Sequence, residues 1–431
     1  MFDELKPEVL VVGAGPVGLF TALSLARRNV NVRIIDTGVW ACTHSYALAV
    51  HPQALDLFAA LGLRERILEA SYPVHRVAFC DRDGTRAAVE AGDAGHPLAV
   101  VRQDTLENLL EDELEKLGVR VGWRQEAASI TPREDGARVL VQKFEKESRG
   151  YIVAHTEWVV SKTRELEPQF VVGADGYNSR VRRTLDAEFP EVGPAQYFAV
   201  FEFRTDADLK NTVRIALEKG TSNILWPLPG GGARWSFELP GYSPAAPDPV
   251  EALRKAGFGD FPSERQKDRV LLSHGLDLPV LDEAHLREYL RERAPWFTGS
   301  IEKLTWRIVV RFERRLARRF GAGRLWLAGD AAHLTGPAGV HSMNLGFHEG
   351  ADLAQRIESI LRGGASASSL DEYNSRWLGV WRQLHGLERV PAPTPQTDPW
   401  VAEHAPQILG SLPAFGAAYE DMAARLGLVA P

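Results

Sequence analysis

Short apolar runs and longer amphipathic stretches alternate along the first third of the chain. Val9-Leu10-Val11-Val12 is an unbroken apolar run rich in β-branched residues, as expected of a strand covered on both faces in a parallel sheet. Leu19, Ala22, Leu23 and Ala26 then recur at i, i+3, i+4 and i+7, which predicts a helix with one apolar face. Val32, Ile34 and Ile35 predict the second strand of a βαβ unit. Further helices are expected over residues 51–63 and from Arg102 to about Leu117, where Gly118 stops the pattern. Two strand-like runs, 139–144 and 151–160, lead to the apolar Phe170-Val171-Val172. From Gln196 to about Arg311 the pattern changes to strands with Gly/Pro turns, over 198–204, 213–217, 223–226 and 234–239. Pro227-Leu228-Pro229-Gly230-Gly231-Gly232 is the turn between the last two. Leu325-Trp326-Leu327-Ala328 returns as a buried strand, and a long helix is expected over 341–361. A further helix over 370–387 would carry Tyr373, Trp377, Trp381 and Leu384 on one face, and 391–399 links it to a short helical C-terminus. No internal repeat is present.

The first turn carries chemistry. Gly13-Ala14-Gly15-Pro16-Val17-Gly18 follows the first strand and opens the helix, and Asp36 ends the second strand 23 residues after Gly13. Glycines at this spacing allow a tight turn, close backbone approach to a pyrophosphate, and close packing of helix on strand. The helix amides then face the phosphates, and the acid accepts ribose hydroxyls. This is a dinucleotide fingerprint, and alone it does not separate FAD from NAD.

Composition narrows the class. The chain has 431 residues, 45% hydrophobic and 25% charged, enough for one large core or two coupled ones. A formal charge of −7 argues against nucleic acid or an anionic membrane as partner. No apolar run approaches the ~20 residues of a membrane span, and the N-terminal residues lack the layout of a signal peptide. Cys42 and Cys80 have neither disulfide-framework nor metal-ligand spacing, so a cytoplasmic protein without a metal is expected.

Two later motifs decide the chemistry. Gly173-Ala174-Asp175-Gly176 lies 155 residues before Gly329-Asp330 when counted from Asp175 to Asp330, and Pro337 then precedes Gly339-Val340-His341-Ser342-Met343-Asn344. With the glycine fingerprint, these resemble the GxGxxG, DG and GD motifs of single-component FAD-dependent aromatic hydroxylases, the p-hydroxybenzoate hydroxylase-like monooxygenases. The resemblance covers nearly the whole chain to about residue 390. It implies an α/β fold (α+β overall): a Rossmann-like FAD-binding domain from residues 1–75, 100–190 and 320–365. A mainly antiparallel β-sheet substrate domain (76–99 and 191–319) and a helical segment (366–431) complete the expectation.

The resemblance also implies roles. Gly13, Gly15, Pro16, Val17, Gly18 and Asp36 would bind FAD, Asp330 its ribityl chain, and Ala127 its adenine through backbone. Arg102, with Gln103 as a second candidate, would contact FAD, and Asp175 and Arg180 would serve both FAD and the nicotinamide. Pro337, Gly339, Met343 and Asn344 would pass the flavin ring, with helix amides facing its pyrimidine edge. NADPH or NADH would reduce FAD, dioxygen would add at C4a, and the hydroperoxide would oxygenate a phenol- or polyketide-like aromatic. A monomer or homodimer is expected.

Two departures bear on this. Val340-His341-Ser342 stands where the family reads Gly-Gln-Gly, placing side chains in a passage normally kept bare, and Tyr46 stands where relatives carry arginine or glycine. The Gly339-Val340-His341 run also echoes flavin-dependent halogenases, but the Trp-x-Trp-x-Ile-Pro segment of those enzymes is missing. Another FAD oxidoreductase, or a flavin-binding protein without turnover, is the remaining alternative. His341 and Asn344 are the candidate catalytic groups, and Phe201, Phe203, Trp226, Arg234 and Trp235 the candidates for lining the substrate. The basic run Arg311, Arg314, Arg315, Arg318 and Arg319 reads as a solvated helix rather than a nucleic-acid patch.

Overall fold

A computed structural model describes residues 6–39, 48–149, 155–241 and 281–430, with the backbone of 270–271. Val9–Val12 is wholly buried and sits between Val32–Ile35 and Phe170–Gly173, both parallel to it. Val121–Gly122 and Leu325–Leu327 extend this sheet in parallel, and Gly321–Ala322 closes one edge antiparallel. Both faces are covered, which is why these runs show no polar alternation. Among the described residues, no helix is long and apolar enough to cross a membrane.

Helix Pro16–Ala26 packs between this sheet and the helices Gln103–Lys116 and His341–Leu361. The contact with His341–Leu361 is built on missing side chains. A Cβ at Gly346 would lie 2.5 Å from a Val17 methyl, and one at Gly350 would lie 2.3 Å from Thr21 Oγ1. Behind the same helix, the buried Glu349 carboxylate accepts from Gly329 N at 2.8 Å and Trp381 Nε1 at 2.7 Å, and contacts His333 Nε2 at 2.9 Å. Gly329, with φ +63°, is thereby held in the turn that carries Asp330.

A second sheet has nine strands among the described residues. Its centre is Glu302–Leu316, Glu191–Arg204, Gly232–Glu238, Thr221–Leu228 and Thr212–Glu218, hydrogen-bonded in that order. One face, with Val200, Trp226 and Val310, shares a core with Ile408, Leu412 and Tyr419 of the C-terminal helices. The other, with Phe201, Phe203, Trp235 and Phe237, is closed by Leu286 and Leu290 of helix Glu283–Arg293. A smaller antiparallel sheet joins Gln125–Pro132, Ala137–Arg149 and His155–Leu166; part of the run expected over 151–160 lies outside the described residues.

The basic run is not a helix. Arg311, Arg314 and Arg315 belong to strand Glu302–Leu316, and Arg318 and Arg319 follow it. The β-branched run Ile308-Val309-Val310 pairs with Phe198–Val200, and this long-range ladder overrides the local preference. Glu313 neutralises part of the charge, pairing with both Arg311 and Arg315.

The glycine contacts give a paired expectation. Helix propensity alone favours alanine over glycine by about 1 kcal/mol. At Gly379, where a Cβ would meet nothing within 4 Å, Gly379→Ala should stabilise by up to that amount. At Gly350 the clash with Thr21 outweighs propensity, and Gly350→Ala should destabilise by ~1–3 kcal/mol. Urea midpoints of the two variants should move in opposite directions; equal shifts would refute the close-packed interface.

Candidate functional site

The glycine loop is shaped by contact with the second motif. Gly13 has φ +106°, and a Cβ there would lie 2.1 Å from Ala174 O. A Cβ at Gly18 would lie 1.9 Å from Gly13 O, whereas one at Gly15 would meet nothing within 4 Å. Gly13 and Gly18 are thus packing glycines, and Gly15 opens onto free space. Asp36 fixes the loop from the second strand, accepting from Ala14 N at 2.7 Å and from Gly38 N at 2.6 Å.

That free space is a cavity of about 460 Å³. It runs from Gly13–Val17 and Asp36 past Asp175 and Asp330 to Pro337 and 340–343, and on to the second sheet at Trp226, Arg234 and Trp306. Motifs separated by roughly 300 residues therefore share one wall. Ala127 and Arg180 also line it, and Arg180 braces this side by donating to Glu126 and Ala128 O, both at 2.9 Å. Asp175 accepts from Arg180 N at 2.6 Å through Oδ2, while its buried Oδ1 has no hydrogen-bond partner. An unpaired acceptor on the wall, beside a floor bare of side chains at Gly15, suits a ligand bearing phosphates and sugar hydroxyls.

Several sequence candidates lie elsewhere. Gln103 lines the cavity, but the Arg102 side chain turns to Glu202, with Nη1 to Oε2 at 3.0 Å, and is not on the wall. Phe201, Phe203 and Trp235 face the opposite side of the sheet, in the core under Glu283–Arg293. Strand alternation instead gives the cavity Val200, Trp226, Arg234 and Ser236, with Val310 and Phe312 from the neighbouring strand. Gly339 is off the wall as well. Its missing Cβ makes room for the His341 ring, whose Cε1 would lie 2.1 Å away. Tyr46 and Cys42 lie outside the described residues.

The start of helix His341–Leu361 differs most from expectation. Val340, its N-cap, has φ +51° and ψ 37°, left-handed values that strain a β-branched residue. The Asn344 side chain holds this conformation, donating to Val340 O at 2.8 Å and Ala49 O at 2.9 Å while accepting from His51 N at 2.7 Å. Asn344 is wholly buried and these bonds occupy both ends of its amide, so it positions the segment and is not a catalytic group. His341 borders the cavity, but its Nε2 sits 2.7 Å from Leu412 O. Met343 is on the wall, and the buried Ser342 Oγ has no hydrogen-bond partner.

Comparison with known proteins identifies the family. The family model described as "FAD binding domain" matches residues 6–242 and 278–385, and the chain belongs to that family, the single-component FAD-dependent aromatic hydroxylases. It is 29% identical to 6-methylpretetramide 4-monooxygenase of Streptomyces rimosus over 89% of this chain and 61% of that protein. It is 24% identical to pentachlorophenol 4-monooxygenase of Sphingobium chlorophenolicum over 87% of this chain and 62% of the relative. The chain thus spans about three fifths of the length of these relatives. The crystal structure of p-nitrophenol 4-monooxygenase PnpA from Pseudomonas putida DLL-E4 shares the fold, with TM-score 0.66 at 20% identity over 97% of this chain and 92% of that one. The flavin-dependent monooxygenase PieE, in complex with FAD and substrate, gives TM-score 0.64 at 18% identity over 86% of this chain and 61% of that one.

Two measurements test the helix start. Asn344→Ala leaves Val340 O, Ala49 O and His51 N without their partner, and should lower stability to urea by ~2–5 kcal/mol; a loss under about 1 kcal/mol would show that these bonds do not hold the segment. The second is pH. Burial lowers His341 and His348 from the ordinary 6.5 to about 4, and His385 to about 3. Each is neutral when folded, so between those values and 6.5 the unfolded chain binds more protons. Stability should therefore fall as pH drops through that window, by up to about 1.4 kcal/mol per unit per histidine. A urea midpoint that is flat from neutral pH to 4 would contradict it.

Proposed function

We propose that the chain binds FAD along this cavity and uses NADPH or NADH with dioxygen to oxygenate a small aromatic, phenol- or polyketide-like molecule. The observation that carries the reading is continuity: one cavity links the glycine loop and Asp330 to an aromatic-walled sheet. The amides of Gly15 and Val17, at the start of helix Pro16–Ala26, receive the pyrophosphate, and Asp36 the ribose. Asp330 takes the ribityl hydroxyls, Ala127 the adenine side, and Asp175 supplies its unpaired oxygen to a donor on the cofactor. Pro337, Val340 and Met343 lie along the flavin ring.

Bound FAD supplies the electron transfer between nicotinamide and dioxygen. The chain orients the aromatic ring against the sheet, keeps water out, and directs the amides of helix His341–Leu361 at the ring's pyrimidine edge. Val340 and Ser342 are what favour the second reading, a flavin binder without turnover, since both put side chains on this wall.

The purified protein should be yellow and release FAD on denaturation. Gly15→Ala should leave urea stability nearly unchanged, because its Cβ meets no neighbour, yet weaken FAD binding at least about tenfold, or 1.4 kcal/mol. Asp330→Ala should cost ~1.5–3 kcal/mol of FAD affinity. Phenols, polyketide-like aromatics and indoles should then be screened for stimulated NAD(P)H consumption, with mass detection of a product gaining one oxygen. FAD binding with no stimulation by any of them would favour the binder; no FAD binding at all would defeat both readings.

A further inference from the structure

The C-terminal part of the chain reaches the proposed flavin segment from outside the region matched by the family. That match ends at residue 385, and residues 392–429 close on themselves beyond it. Strand Ala392–Pro393 pairs with Leu428–Val429, and the short helices Pro399–Glu403, Ala405–Leu409 and Gly416–Arg425 lie between them. Leu412, Tyr419 and Met422 seat this unit on the second sheet, in the core shared with Val200 and Trp226. Apolar packing alone accounts for that seat.

The contact with helix His341–Leu361 goes further. The His341 ring is 3% exposed, and its Nε2 lies 2.7 Å from Leu412 O, in the turn between the last two helices. A carbonyl only accepts, so Nε2 carries the proton and donates. Two turns along, the His348 and Phe415 rings meet edge to face, with centres 4.9 Å apart. From the other side His51, which precedes helix Pro52–Ala60, donates through Nε2 to Gly339 O at 2.8 Å. The His51 and His341 rings stand at 89°, 5.9 Å apart. Segment 339–344 is therefore gripped between two anchors, one of them in the C-terminal unit. Val340 between them is left-handed and strained, so loosening either anchor gives it room to relax. Val340, Ser342 and Met343 on the cavity wall would move with it.

We infer that His341 is a positioning residue for the flavin, tying the wall at 340–343 to the C-terminal unit so that FAD binding and the docking of residues 411–426 are coupled. The inference rests on the FAD-binding reading above. Such coupling is reciprocal: each event strengthens the other by the same factor.

Backbone amide exchange should be followed across residues 411–426 in the full chain with and without FAD. Loading should slow exchange there about tenfold, a usual size for coupling between sites. In His341→Leu the slowing should fall below about twofold, FAD should bind about tenfold more weakly, and the visible flavin spectrum should shift. His341→Gln keeps a donor and should restore part of each effect. A residue that only stabilised the fold would change exchange equally with and without FAD. Tyr419→Leu, in the C-terminal unit and off the cavity wall, tests the link from its other end and should weaken FAD binding at least about fivefold. Exchange at 411–426 that FAD leaves unmoved in the loaded wild type overturns the inference, as does full slowing retained in His341→Leu. If His341→Leu does not fold, unchanged FAD affinity in Tyr419→Leu overturns it. Failure of the wild type to load FAD would instead strike the functional reading beneath it.

Discussion

The whole site depends on places where a Cβ is missing. Gly13 lets the first loop press on the backbone of Ala174 and Gly18 lets the helix start press on the Gly13 carbonyl, while Gly346 lets the long C-terminal helix close over Val17 and Gly350 lets it close over Thr21. Gly329 packs on the same valine, where a Cβ would lie 3.1 Å from its nearest methyl. Two distant segments, at Gly329 and Gly346, are therefore held around the Val17 side chain, which itself lines the cavity. Overpacking at such points moves backbone, not just a rotamer. Cofactor geometry and fold stability are consequently set by the same contacts, with Gly15 the exception because its open side faces the cavity.

How much of this was legible in the chain follows from how local each signal is. The fingerprint through Asp36 could be read because turn, helix start and carboxylate lie within one βαβ unit. Helix His341–Leu361 was also legible, since its apolar stripe and its entry motif coincide. The face of the second sheet was not. Strand Glu191–Arg204 alternates Val200 and Glu202 with Phe201 and Phe203, but both faces of the sheet are covered, so apolarity marks neither side. The one available hint was Glu202 itself, a carboxylate among phenylalanines that needs an arginine across the strand. Arg102 and Gln103 show the same limit at a helix start, where adjacent side chains diverge by about 100° and only tertiary structure says which meets the cavity.

Asn344 shows how a matched motif can carry a different task. Its position fits the family pattern, yet its amide is consumed in holding Val340, Ala49 and His51 together. A left-handed Val340 costs about 1–2 kcal/mol, a strain that persists only where the surroundings over-determine the conformation. Those surroundings are the Asn344 bonds, the His51 contact to Gly339 O at 2.8 Å, and the packing of Val340 on the core that includes Trp226. Valine here ties the helix start to the second sheet, which a glycine has no side chain to do. The strained residue is thus the mechanical link between the proposed flavin segment and the row of Trp226, Arg234 and Trp306. A change in the position of either should therefore be felt at the other.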